Sequence, residues 1–247
     1  MKTKAVLEGD EWVINGAKQF ITSAEYAGVF VLWAVTDPDA KRGKGISCFL
    51  VEAGTPGLII SPAEKKMGQH ASATNEVVFD NCRIPKDALM GKLNEGFKVA
   101  VSELAGGRIG IGSLSLGIGL AAIDYAREYV NEREQFGQKI ANFQGIQWML
   151  AEAYTDLEAA RLLLMNASDK KDKGLPFGKE ASMAKLFASE KANQVCYTAL
   201  QLMGGAGYIK EYPLERYARD VRVASIYEGT SEIQRVIIAR DLLQEIN

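Results

Sequence analysis

The chain has 247 residues, 47% of them hydrophobic, enough to bury a core in one large domain or two smaller ones. Lysines and arginines nearly balance the acids, leaving a formal net charge of -2, and they are scattered, which argues against a nucleic-acid groove or an anionic membrane surface. One histidine, three widely spaced cysteines and no GxSxG elbow argue against a multi-His zinc site, a disulfide framework and His-dependent hydrolysis.

The opening stretch MKTKAVLEGDEW has no apolar region after its lysines and does not read as a signal peptide. Within the first 90 residues, LEGDEWVING shows the alternation and Gly-Asp turn of a hairpin. GVFVLWAV and ISCFLVEA are strand-sized apolar runs separated by the loop TDPDAKRGKG, and NEVVFDNCRIP is a further strand closed by Pro85. The run at 28–35 is the longest apolar stretch and is too short to cross a bilayer, so a soluble protein of a reducing cytosol or organelle matrix is expected.

From about Asn94 the period becomes helical, with Phe97, Val101, Leu104, Ile111, Leu114 and Ile118 recurring at three, four or seven. Gly106-Gly107 loosens this helix, and small residues at 110, 112, 113, 115, 117 and 119 let a neighbouring helix approach closely. Three more long helices are expected at about 141–171, 177–203 and 231–245. The fold class is α+β: a partial antiparallel β domain (1–90) followed by an antiparallel four-helix bundle (91–247).

Four segments invite a functional reading beside an ordinary one. In IYEGTSEIQ, Ser225 to Glu228 matches a capping box, but Ser231 to Gln234 matches one too and leads into the apolar series of the last helix. With that cap supplied, Glu228 has no local task, and a carboxylate beside Tyr227 and Ile226 would be partly desolvated toward a general base's range. The pattern alone leaves cap and base both open. In QLMGGAGYIKEYP, Gly204, Gly205 and Gly207 fit either a C-cap and flexible loop or the close approach of a ligand to backbone. NEREQFGQKIANFQGIQ places Arg133, Phe136, Gly137 and Gln144 at a helix connection, where a solvated turn and a phosphate or ring clamp both fit. GIGLAA at 117–122 imitates a nucleotide fingerprint, but it lies inside a helical pattern with no preceding strand and is rejected.

Taken in order, EWVINGAKQFITSA, LAGGRIGIGSLSLGIGLAAIDYA, REQFG, QLMGGAGY and RDVRVASIYEGTSEIQR resemble the acyl-CoA dehydrogenase family, most closely its short-chain (butyryl-CoA) branch. The resemblance covers essentially the whole chain. It implies an FAD-dependent desaturation of an acyl-CoA thioester between Cα and Cβ, with Glu228 as the α-proton base. It also implies electrons passed to electron-transfer flavoprotein, homotetrameric assembly, no metal, no membrane insertion, and a bacterial cytoplasm or mitochondrial matrix.

By the same resemblance, Ile21 and Thr22 lie by the isoalloxazine ring, and Arg133, Phe136, Gln144, Gln201, Gly204 and Gly205 bind the FAD diphosphate and adenine across a subunit interface. Thr230 and Ser231 meet FAD at the start of the last helix, and Arg108 and Gly229 touch the substrate, Gly229 so that backbone can lie against the thioester. Isovaleryl-type relatives carry the base on the first bundle helix; here the matching position is Gly107, so Glu228 has no visible rival. Short-chain relatives usually place an acid near Ala105 that helps hold CoA, and its absence bears on CoA affinity. Family members begin with a helical domain and strands carrying a TEPxAGSD-type flavin segment, and this chain starts just after that point, so weak or absent flavin binding is expected of it alone. Two alternatives stand beside the main reading: an inactive chain serving only tetramer assembly, or a glutaryl or branched-chain acyl-CoA dehydrogenase.

Overall fold

A computed structural model describes residues 1–244 except Arg42, and describes the backbone but not the side chains of Ser102 and Glu103. The chain forms two compact units, Met1–Glu103 and Leu104–Asn247.

The first unit is built on a seven-stranded sheet. Its strands are β1 (Lys4–Glu8), β2 (Glu11–Thr22), β3 (Val29–Val35), β4 (Ile46–Glu52), β5 (Leu58–Ile60), β6 (Thr74–Pro85) and β7 (Leu89–Met90). Their order is β5-β6-β2-β1-β3-β4-β7, antiparallel throughout except for the single β1–β3 register pair, Lys4 with Val35. The expected hairpin is β1–β2 across Gly9-Asp10, whose left-handed Gly9 (φ 64°) closes the turn. Strand alternation sets the core: Phe30, Leu32 and Ala34 of β3 point inward beside Trp12, Ile14, Phe49, Val51, Val77 and Phe79. Each large side chain buried this way contributes about 1.5–3 kcal/mol. Trp12 and Phe49 meet edge to face at 5.1 Å. On the outer face, Val31 and Leu50 sit opposite each other at 46% and 43% exposure, so apolar surface lies on a face as well as at the sheet's rims.

The helices are α1 (Gly96–Glu132), α2 (Gln144–Asp172), α3 (Gly178–Leu202), α4 (Gly205–Tyr208), α5 (Leu214–Val221) and α6 (Ser231–Gln244), with a two-residue ribbon, β8 (Glu134–Gln135) and β9 (Gln138–Lys139), between α1 and α2. Residue 245, the expected end of the last helix, lies outside the described residues. Gly106-Gly107 does not interrupt α1.

The apolar series read from α1 is not its buried face, because Phe97, Val101, Leu104 and Leu114 are exposed. The buried line is instead Gly112, Ser115, Gly119, Ala122, Ala126 and Val130, at spacings of three and four. A methyl at Gly112 would stand 2.6 Å from Leu164 of α2, and one at Gly119 would stand 2.8 Å from Leu157 of α2 and 3.4 Å from Ala192 of α3. The small residues thus allow the close helix approach that the spacing implies. On α3 the matching line is alanine-rich, through Ala181, Ala184, Ala188, Ala192 and Ala199. By length and composition alone α1 would also suffice to cross a bilayer, a property that a search for uninterrupted apolar runs misses.

Candidate active site

Helix α5 runs into a 3-10 turn, Arg222–Ser225, whose end is closed by the Ile226 and Tyr227 N–H groups donating to the Val223 carbonyl at 2.8 and 3.1 Å. The chain then reverses through two consecutive left-handed residues, Glu228 (φ 53°) and Gly229 (φ 89°), before α6 begins. Glycine adopts this conformation freely, but for glutamate it costs about 1–2 kcal/mol. A non-glycine residue held there points to a reason for its side-chain direction.

That direction is toward α1. A methyl at Gly107 would stand 2.8 Å from Glu228 Oε2, so the carboxylate occupies the space that the glycine leaves. Oε2 is buried and has no hydrogen-bond partner among the described residues. An unpaired buried carboxylate oxygen is costly and uncommon, and sites that hold one are usually reactive. The next residue of α1, Arg108, donates to Ser182 Oγ of α3 at 3.3 Å, while its Nε is buried and has no partner among the described residues. Burial pushes the Arg108 guanidinium below the usual arginine range, and the Glu228 charge works against that shift.

The turn is held from behind. Gln234 of α6 donates its amide to the Glu228 and Gly229 carbonyls at 3.2 and 2.9 Å. The wholly buried Lys185 of α3 donates to the Gly229 carbonyl at 2.7 Å. Burial lowers the Lys185 pKa from its ordinary 10.5 to about 8, with Glu228 pulling upward and Arg108 downward. Neither Lys185 nor Gln234 was singled out as functional from sequence. The available signal was phase: Lys185 falls on the buried alanine line of α3, where a solvated lysine does not belong.

The capping expectations need correction. Thr230, not Ser231, caps α6: its Oγ1 accepts the Ile233 N–H at 3.4 Å, and its carbonyl accepts the Gln234 N–H at 3.0 Å. The Ser231 hydroxyl is buried without a partner among the described residues, and the Gln234 amide serves the preceding turn instead of a box with Ser231. The earlier box fails as well, since the Ser225 hydroxyl exchanges hydrogen bonds with Arg222. Ile226 is 51% exposed and provides little apolar cover for the acid.

The remaining expected residues divide into groups. Arg133, Phe136 and Gln144 lie at the α1–α2 connection, all exposed, with Phe136 left-handed (φ 55°), 90% exposed and edge-on to Phe143. Gln201, Gly204 and Gly205 lie at the C-terminus of α3, also exposed. Along α3, Gln201 is about 24 Å from Lys185, so these residues do not gather at the Glu228 turn of the same chain. Thr230 and Ser231 do adjoin that turn. Ile21 and Thr22 end β2 in the first unit, opposite Asn75 and Thr74.

The three glycines of QLMGGAGY separate. Gly204 (φ 57°, ψ -134°) takes a backbone conformation that favours glycine, and Gly207 presses on the Leu200 carbonyl. A methyl at Gly205 would meet nothing within 4 Å.

Known proteins place the chain. Residues 94–243 match the model of the acyl-CoA dehydrogenase C-terminal domain and residues 1–82 that of the acyl-CoA dehydrogenase middle domain. An acryloyl-CoA reductase (NADH) of Anaerotignum propionicum is 49% identical over 99% of this chain and 62% of its own length. The mitochondrial short-chain specific acyl-CoA dehydrogenase of Rattus norvegicus is 48% identical over 98% of the chain and 58% of its own. The three-dimensional structure of butyryl-CoA dehydrogenase from Megasphaera elsdenii superposes with a TM-score of 0.95 at 41% identity, over 98% of this chain and 63% of that one. The chain therefore spans about three fifths of the length of these relatives. With both family models matched in order and the α+β architecture shared, the chain belongs to the acyl-CoA dehydrogenase family.

Proposed function

We propose that this chain carries the base and part of the flavin contacts of a short-chain acyl-CoA dehydrogenase, with Glu228 removing the α-proton of the thioester. The observation that carries the reading is the Glu228 carboxylate, held in a left-handed turn with one oxygen buried and unpaired against Gly107. An α-proton is weakly acidic, so the base must be desolvated and aimed, and charge developing on the thioester oxygen must meet a donor. The Glu228 backbone N–H is assigned that donor role by resemblance to the family. Arg108 supplies a neighbouring cation, and Gly229 keeps the turn's backbone free of a side chain.

FAD, when bound, supplies the acceptor for the hydride that leaves Cβ. The residues fit such a dinucleotide. The Ser231 hydroxyl is an orphaned buried oxygen in the first turn of α6, beside Thr230, where free helix N–H groups favour a phosphate. Away from that turn, Arg133, Gln144 and Gln201 are exposed donors, a methyl at Gly204 or Gly205 would meet nothing within 4 Å, and exposed Phe136 offers an adenine a stacking face. The distance of about 24 Å along α3 supports assigning this second set to a flavin shared with another copy, in a homotetramer. Ile21 and Thr22 are assigned to the ring by family resemblance. Electron-transfer flavoprotein is the proposed electron acceptor.

A reductive direction is the second reading, supported by the acryloyl-CoA reductase relative. The same carboxylate that takes the α-proton delivers it in reverse. Glu228→Gln is the test, on the FAD-supplemented protein with butyryl-CoA in D₂O. Bleaching of the flavin's visible band and exchange of the Cα hydrogens should both vanish, with circular dichroism and melting unchanged. Substantial remaining turnover would sink the assignment of the base.

A further inference from the structure

The Glu228–Gly229 turn has two consecutive carbonyls, and three side-chain hydrogen bonds converge on them. Gln234 reaches back from the first turn of α6 to both, and Lys185 reaches across from α3 to the second. The arrangement is tight enough to dictate residue type: a methyl on Gly229 would stand 2.7 Å from Gln234 Nε2. Two donors arriving from different helices fix both peptide planes, and the planes fix where the Glu228 side chain leaves the backbone.

We infer that Lys185 and Gln234 are positioning residues for the Glu228 carboxylate, acting through the two carbonyls of its turn. The inference rests on the reading of Glu228 as the base. A neutral amide or hydroxyl would satisfy the Gly229 carbonyl as well as an ammonium does, so a buried lysine needs a further reason. The reason is charge: against burial, which disfavours the ammonium most, and Arg108, which also opposes it, Glu228, Glu232 and Glu190 favour it. Lys185 therefore holds the turn's second carbonyl by a direct hydrogen bond and attracts the Glu228 charge at longer range.

The test uses Lys185→Met and Gln234→Met, each of which removes one arm. In the 247-residue chain itself, hydrogen–deuterium exchange of a peptide covering 226–234 should quicken about tenfold in each variant. A peptide from the α3 core, 188–199, should not change. Where the FAD-supplemented parent turns over butyryl-CoA, kcat of the variants should fall about tenfold or more while KM stays within about twofold; where it does not, the exchange result alone decides. A merely structural role would lower melting temperature without that split. Unchanged exchange at 226–234, or a loosened turn with kcat intact, overturns the inference. Should Lys185→Met not fold, Gln234→Met carries the same comparison. Glu228→Gln run alongside separates the two claims: if it keeps turnover, the base reading fails, and if it is dead while both Met variants are fully active, only the positioning claim fails.

Discussion

Replacing Gly107 with alanine sets two effects of opposite sign against each other. Within a helix, glycine to alanine stabilises by roughly 0.5–1 kcal/mol, because the unfolded chain loses freedom that α1 does not use. The added methyl, however, would stand 2.8 Å from Glu228 Oε2 and 3.2 Å from its carboxyl carbon, both closer than ordinary contact. The obstacle is the far end of a side chain, so the carboxylate yields by a fraction of an ångström and the helix does not. Displacement on that scale costs on the order of tenfold to a hundredfold in rate where a proton must be taken in a fixed geometry. Gly107→Ala is therefore expected to melt about 2 °C higher and to turn over at least about tenfold more slowly. Thermal melts followed by circular dichroism and steady-state kinetics with butyryl-CoA read both effects. A raised melting temperature with kcat within about twofold of the parent would show that the acid does not work from beside Gly107. A melting temperature lowered by several degrees would show that the carboxylate cannot give way.

Two further expectations concern the same turn. The folded pKa of Lys185, about 8, lies below its ordinary 10.5, so between those values the unfolded chain binds a proton that the folded chain does not. Stability should then rise with pH across that window by at most roughly 3 kcal/mol, with no slope from this group below it, and Lys185→Met should flatten the rise in urea midpoints. The cap assignment predicts that Thr230→Ala costs about 1 kcal/mol, whereas Ser231→Ala, which deletes a hydroxyl with no partner among the described residues, is close to neutral in the same unfolding assay. The reverse ranking would restore the cap to Ser231.

Much of this molecule is legible from pattern because local periods and turn residues agree with the final fold. The strands at 29–35, 46–52 and 74–85 and the four long helices stand where alternation and helical spacing put them. Strands β5 and β7 are invisible that way, since three and two residues carry no period, and they exist only because β6 and β4 offer them partners. The buried face of α1 is misread for a related reason. A scan for large apolar residues selects Phe97, Val101 and Leu114, but close packing there depends on Gly112, Ser115 and Gly119, whose contribution is the absence of a side chain. Lys185 is hidden because a lysine among alanines reads as a solvated position until its phase is compared with theirs.

The stretch IYEGTSEIQ shows where single-residue reasoning stops. Thr230 and Ser231 are both competent caps, and only the direction of the Ile233 N–H decides between them. Once the cap is Thr230, Gln234 is released from a box with Ser231 and can turn its amide to the two carbonyls behind it. That amide then fills the space beside Gly229, so the glycine's missing side chain also makes room for Gln234. Glu228, Gly229, Thr230 and Gln234 are therefore interdependent, each setting the conformation that another requires. Among the described residues, the contact these carbonyls receive from outside the segment is the Lys185 ammonium, brought by α3. A base that must be left-handed, with one carboxylate oxygen buried and unpaired among the described residues, cannot hold itself in place. Its geometry is instead supplied by a neighbouring amide and a distant cation, and that is why substitutions at Gln234 and Lys185 should be read in rate as well as in stability.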